Sequence, residues 1–210
     1  MRPVEKFAKR ILDILISLLA IIFLLPVFAI IFIAIKLTSK GPAIFKQERV
    51  GKDGKPFVFY KFRTMKPDVD PLALSPVSSD DARLTRTGIF LRECSLDELP
   101  QLFNIVKGDM SIVGPRPLFV WQMAEWNERQ KKRLLTKPGL TGLAQISGRG
   151  ELTQEEKLEL DVKYVETASF STNIKIILAT IAHVFGRKNI YEKWRSETEQ
   201  TQRKSKKIEK

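Results

Sequence analysis

From Ile14 to Ile35 the chain reads ILISLLAIIFLLPVFAIIFIAI, and Ser17 is its one clearly polar side chain. As a helix this run is roughly 33 Å long, enough to cross a hydrocarbon core. It continues through IKLTSKGPAIFKQERVG without the small-residue cleavage site that closes a secretory leader, so an uncleaved membrane segment is expected. Pro26 falls near its middle, removes a backbone donor and crowds the preceding turn, which predicts a kink or break. Both flanks are basic, with Arg2, Lys6, Lys9 and Arg10 before the run and Lys36, Lys40, Lys46 and Arg49 after it. The positive-inside rule therefore assigns no orientation. Two arrangements satisfy these residues: a kinked single span, or a helix that breaks at Pro26 and returns to the face it entered. In the second, both basic flanks meet anionic headgroups.

The remainder is long enough for one compact domain. Lys and Arg number 36 against 24 Asp and Glu, a formal charge of +12, which favours anionic partners: a phospholipid surface, a phosphorylated substrate or nucleic acid. No nucleic-acid-binding module is recognisable, and none is expected as a partner. A single cysteine, Cys94, excludes an intrachain disulfide. A single histidine, His183, argues against a His-based zinc site or a Ser-His-Asp triad.

AIFKQERVG and KPFVFYKFRTM read as two strands joined at Lys52-Asp53-Gly54-Lys55, a strong hairpin signal. Residues 66–80 read as a loop. Short helices are expected over about 86–93 and 96–107, the second closed by Gly108. SIVGPRPLF has too much proline for regular structure, whereas WQMAEWNERQKKRLL is helical by period. Its tryptophans suit either a membrane interface or a core. KPGLTGLAQISGRG carries four glycines. Thr153 then opens a helix with Glu156 three residues on, a capping box, and NIKIILATIAHVF is another amphipathic helix. The expected class is α+β: a membrane helix in residues 1–40, a domain over 41–186 with several helices (some interfacial) and a short β-hairpin, and a basic, flexible tail over 187–210.

Within ECSLDELPQLF (93–103), Asp97 and Glu98 stand together in an apolar setting. Ser95-Leu96-Asp97-Glu98 fits a capping box, although Pro100 then falls where a helix amide should donate; a start one or two residues later accommodates it better. The functional alternative is phosphoryl chemistry. Aspartate is a competent nucleophile toward phosphorus, and an adjacent carboxylate can hold Mg²⁺ with substrate oxygens. Lys61, Arg63, Arg83, Arg92 and Arg116 supply positive charge for a diphosphate.

KFRTM (61–65), DDARLTRTGIFLRECSLDELPQLFNIVKGDMSIVGPRPL (80–118), KPGLTGLAQISGR (137–149) and ELDVKYVE (159–166) together resemble the bacterial sugar transferase family of monotopic phosphoglycosyl transferases. The likeness covers about residues 5–185. It implies transfer of a sugar-1-phosphate from a UDP-sugar to undecaprenyl phosphate, with release of UMP, as the first membrane step of bacterial glycan assembly. It implies Asp97 as nucleophile, forming a phosphosugar–enzyme intermediate, and Asp97 and Glu98 as the Mg²⁺ and phosphate positions. Lys61, Arg63, Arg83, Arg92, Arg116 and Arg149 fall in its motifs as anion contacts. It further implies a re-entrant helix broken at Pro26, with Lys9, Arg10 and Asp13 anchoring its start at the interface and the catalytic domain on the cytoplasmic face of the inner membrane. Two departures stand out. Leu25 replaces the serine that many small members carry before the breaking proline, and GELTQEEKLELDV after Arg149 differs from close relatives, so no donor sugar is carried over. The rival activity is a membrane-associated, Mg²⁺-dependent phosphohydrolase using the same two acids.

Overall fold

The computed structural model describes residues 3–70, 76 and 78–186. The basic tail expected over 187–210 and part of the loop expected over 66–80 lie outside the described residues.

Helix α1 runs from Pro3 to Thr38 with Pro26 inside it, so the helix is assigned without interruption where a break was expected. It is long and apolar enough to cross a membrane. One seam of α1 faces the rest of the chain: Asp13, Ser17, Ile31 and Ile35 are buried, and Ala20, Ile21, Leu24, Val27 and Phe28 pack beside them. The three- and four-residue spacing of this seam is that of a single helix face, and it passes Pro26 in phase. On the N-terminal side of Pro26, Ala20, Ile21 and Leu24 rest on Phe59, Leu102, Ile105 and Met110. On the other side, Val27, Phe28, Ile31 and Ile35 rest on Phe62, Leu91, Leu96 and Leu99. The outward face stays apolar and exposed, as at Phe23 (78%) and Ile30 (67%), which a core helix of a water-soluble domain would not show.

Both ends of α1 are tied down by polar contacts. Lys9 pairs with Asp13 at 3.1 Å and reaches the Ser111 hydroxyl and the Val113 carbonyl. Asp13 accepts from Ser111 Oγ at 2.7 Å and from the Ile112 amide at 3.2 Å. Arg10 donates to the carbonyls of Ile105 and Val106 at 2.7 and 3.1 Å. These three residues were expected to anchor the helix start; here they anchor it to the domain. At the far end Arg63 donates to the Ser39 and Lys40 carbonyls and to Ser39 Oγ. It satisfies carbonyls that a helix end leaves without internal partners.

The hairpin forms as expected. Strands β1 (Ile44–Val50) and β2 (Pro56–Phe62) pair antiparallel in full register, and the chain turns through Asp53 (φ 56°) and Gly54 (φ 75°). Helix α2 (Arg86–Glu93) matches its expected span and is capped by Thr85, whose Oγ1 accepts from the Gly88 amide at 2.9 Å. The expected 96–107 helix divides into a 3₁₀ turn, Leu96–Glu98, and α3, Gln101–Lys107, with Pro100 at the N-cap and Gly108 (φ 106°) closing it. The later start keeps Pro100 out of the helix interior.

Two expectations are corrected. Ser111–Val113, read as irregular, is strand β3, which pairs in parallel with β4, Gly139–Thr141. Three residues are too short for an alternation signal to register. The segment read as one helix over 121–135 is a 3₁₀ turn (Val120–Glu125), a short α4 (Glu128–Lys131) and a second 3₁₀ turn (Lys132–Leu135). Asn127 breaks it by accepting from the Gln130 amide at 2.9 Å, an N-cap inside the periodic stretch. Of the two tryptophans, Trp126 is buried with the Arg133 guanidinium 4.7 Å from its ring centre, whereas Trp121 is 46% exposed and stacks on Phe119. Helix α5 (Leu143–Ser147) leads to α6 (Gln154–Thr167), where the Thr153–Glu156 capping box forms, and to α7 (Phe170–Gly186). The architecture is α+β, with two small two-stranded sheets among helices.

Candidate active site

Asp97 and Glu98 reach a common cavity because of how α2 ends. The chain leaves α2 at Cys94, and Ser95 adopts a left-handed conformation (φ 55°) that reverses it into the turn Leu96–Glu98. Ser95 was expected to open a capping box; its side chain makes no capping bond to the turn. Its strained backbone is what shapes the site. A 3₁₀ turn has three residues per revolution, so Leu96 and Leu99 share one side. Both drop into the cluster around Ile31 and Ile35, which leaves Asp97 and Glu98 for the cavity wall.

Positive groups converge on the same cavity from separate elements. Lys61 and Phe59 come from one face of β2, while the intervening Tyr60 points away. Arg92 comes from the last turn of α2, and its buried Nη1 has no hydrogen-bond partner. Arg116, from the proline-rich loop after β3, pairs with Glu98 at 3.1 Å. Its backbone is held from behind: Arg133 donates to the Arg116 carbonyl and to Asp161 at 2.7 Å, in an ion pair of which almost nothing is exposed.

The electrostatics follow from burial. Asp97 is 7% exposed. Its pKa is raised by loss of water and by the Glu98 charge, against the pull of Arg92, Lys61 and Arg116. Lys61 is lowered to about 8 by burial and by Arg92, partly offset by Asp97 and Glu98. Arg49, also on the wall, is lowered by burial and by Arg116, and a guanidinium so lowered is still protonated at neutral pH. The cavity thus sets the adjoining carboxylates of Asp97 and Glu98 against Arg49, Lys61, Arg92 and Arg116, with Lys157 and Asp161 of α6 also on its wall.

The expected anion contacts divide. Lys61, Arg92 and Arg116 line the cavity. Arg63 and Arg83 do not. Arg63 is spent on the carboxy end of α1, and Arg83 forms a two-pronged pair with Asp81, 2.6 Å at its shortest. Arg149 begins the turn Arg149–Glu151, whose Gly150 is on the wall, but its side chain lies outside what is described. Sequence reasoning passed over other wall residues. Arg49 was counted as a membrane flank, yet the hairpin twist lays its guanidinium over Phe119, 3.7 Å from the ring centre. Gln101, Gln145 and Gln154 carried no signal beyond lying in or near the quoted motifs, and each has at least one buried amide atom without a partner. Among the described residues, no group of three or more His, Cys, Asp or Glu side chains clusters as an all-protein metal cage.

Two carboxylates, a cationic rim and unsatisfied amides suit a negatively charged, hydrogen-bonding ligand. Comparison with known proteins points the same way. EpsL of Bacillus subtilis (strain 168), a sugar transferase by name, is 44% identical over 180 residues, covering 84% of this chain and 86% of EpsL. The galactosyl transferase CpsE of Streptococcus agalactiae serotype III (strain NEM316) is 43% identical over 186 residues, covering 83% of this chain and 41% of that protein. The UDP-glucose:undecaprenyl-phosphate glucose-1-phosphate transferase of Escherichia coli (strain K12) is 40% identical over 196 residues, 90% of this chain and 42% of its own length. The chain therefore spans less than half the length of the latter two. The bacterial sugar transferase model matches residues 4–187, which takes in α1 and every element that lines the cavity, and the chain belongs to that family.

Proposed function

We propose that this chain transfers a sugar-1-phosphate from a UDP-sugar to undecaprenyl phosphate at the cytoplasmic face of the bacterial inner membrane, releasing UMP. The observation that carries the reading is the placement of Asp97: a buried carboxylate beside Glu98, on the wall of a cavity rimmed by Lys61, Arg92 and Arg116. Relatives named as undecaprenyl-phosphate glucose-1-phosphate and galactose phosphotransferases support it.

An Asp97 carboxylate oxygen attacks the phosphorus that bears the sugar, and the phosphoanhydride bond to the UMP phosphate breaks. UMP departs with the bond pair, leaving the sugar phosphate on Asp97. A phosphate oxygen of the lipid acceptor then attacks the same phosphorus and Asp97 leaves, giving the lipid diphosphate-linked sugar and a free carboxylate. Lys61, Arg92 and Arg116 offset the charge spread over the non-bridging oxygens. Burial leaves the Asp97 carboxylate poorly hydrated, which favours attack once it is ionised. The donor set fits Mg²⁺, because this ion is commonly held by one or two carboxylates with substrate phosphates completing its shell. Asp97 and Glu98 would hold it, and when bound it neutralises phosphate charge.

A setting of α1 with both ends at one membrane face is supported by its contacts. The domain grips it from Lys9 to Ile35, roughly 39 Å along the axis, and at both ends through polar side chains. An upright span would draw that polar flank into hydrocarbon, where unsatisfied groups are costly. With both ends at one face, the cavity lies near headgroup depth, where a lipid phosphate is available.

Purified protein given UDP-glucose, UDP-galactose or other UDP-sugars should release UMP in steady state only with undecaprenyl phosphate and Mg²⁺. Sustained release without the lipid would instead identify a phosphohydrolase.

A further inference from the structure

The part of the cavity wall supplied by α5 and α6 is built for a different chemistry. Asp97 sits on a turn packed against α2 and β2, whereas Gln145 and Gln154 come from α5 and α6, which pack on each other. Both amide atoms of Gln145, Nε2 and Oε1, are buried without a partner, and so is Nε2 of Gln154. An unpaired buried amide destabilises a fold, and native structures rarely keep one without a use. Gln145 Oε1 lies close to the Gly142 backbone, 2.8 Å from where a Cβ would stand, although it is the Gly114 carbonyl, 2.1 Å from that point, that requires glycine there.

A buried glutamine with neither end of its amide paired is matched by a donor and an acceptor side by side. Phosphate offers acceptors alone. The imide edge of uracil offers N3–H next to a carbonyl oxygen, a two-bond match to an amide. In-line displacement adds a direction: the leaving group exits opposite the nucleophile, so the uridine half of the donor points away from Asp97. We propose that Gln145 reads the uracil of the donor, Oε1 accepting from N3–H and Nε2 donating to the adjacent carbonyl oxygen, with Gln154 supplying a further donor at the same end. This rests on the UDP-sugar reading above and assigns the specificity for the base within it.

The test is titration calorimetry on the full-length protein in detergent, with UMP and ribose 5-phosphate as probes, beside Asp97-dependent UMP release from the donor. Wild type should bind UMP more tightly than ribose 5-phosphate. Gln145→Leu should weaken UMP about 10- to 100-fold, leave ribose 5-phosphate unchanged and abolish the difference. Gln145→Glu, which keeps the shape but removes the donor, should weaken UMP in the same direction and covers the case in which the leucine variant does not fold. Unchanged UMP affinity with a raised donor KM would place Gln145 against the sugar and overturn the proposal. Equal loss for both probes would make its role structural and overturn it as well. If wild type releases no UMP, the reading beneath fails; if release is intact while base discrimination survives both variants, this inference alone fails.

Discussion

Asp97 is held in a state that costs stability. Its folded pKa is raised, first by burial and then by Glu98, so the folded protein binds its proton more tightly than the unfolded chain does. That contribution is present below the ordinary carboxylate range and is lost as pH rises through the folded value. At neutral pH, above the ordinary carboxylate range, the raised value therefore costs stability. Asp97→Asn should therefore abolish turnover and raise the melting temperature, by about 2–4 °C for each kcal/mol relieved in a chain of this size; calorimetry on the variant checks it. Lys61, lowered to about 8, sets the other limb. If its charge serves donor binding, kcat/KM should fall above about pH 8, and Lys61→Arg should move that limb to higher pH. The acidic pair was visible in the sequence, and so was the awkward proline after it. What could not be read was the left-handed Ser95, because serine is not the residue type that announces such a conformation.

At the scale of elements, the site depends on close approaches that glycine permits. Gly88 lies in α2 where a Cβ would meet the Thr64 carbonyl oxygen at 1.9 Å, so the helix is pressed onto the chain just after β2. Gly88→Ala should push α2 outward, carry Arg92 off the cavity wall and lower activity at least 10-fold, while an exposed change on the same helix such as Phe90→Leu leaves donor turnover within twofold. The hairpin, α2, α6 and α7 were legible because each carries a turn, a cap or a full period. Strands β3 and β4 were not, being three residues each and paired across 25 intervening residues. The helix expected over 121–135 failed for the opposite reason: its apolar period continues through an Asn127 cap that local polar bonding decides. Arg63 illustrates the limit for site residues. A basic side chain in a motif reads the same whether it meets phosphate or, as here, the carbonyl end of a helix.

For the whole molecule, the long apolar helix α1 and the candidate site are one packed unit. Leu96 and Leu99 bracket Asp97 and sit against α1, while Arg10 holds the carboxy end of α3. Single cysteines at positions 5 and 40, in a Cys94→Ser background, should label from the same side of sealed vesicles; labelling from opposite sides would mean a full span. The buried Arg133–Asp161 pair props the loop that carries Arg116, so Arg133→Met should destabilise the fold by about 3–5 kcal/mol by leaving Asp161 buried and unpaired. The central claim is the covalent intermediate. It is tested most directly by mixing stoichiometric enzyme with its UDP-sugar and Mg²⁺ in the absence of lipid acceptor, then measuring intact mass and released UMP. A covalent intermediate gives a burst approaching one equivalent of UMP, a mass gain of one sugar phosphate located on the Asp97 peptide, and neither in Asp97→Asn. UMP release that begins only when undecaprenyl phosphate is added, with no adduct at any time, would contradict it.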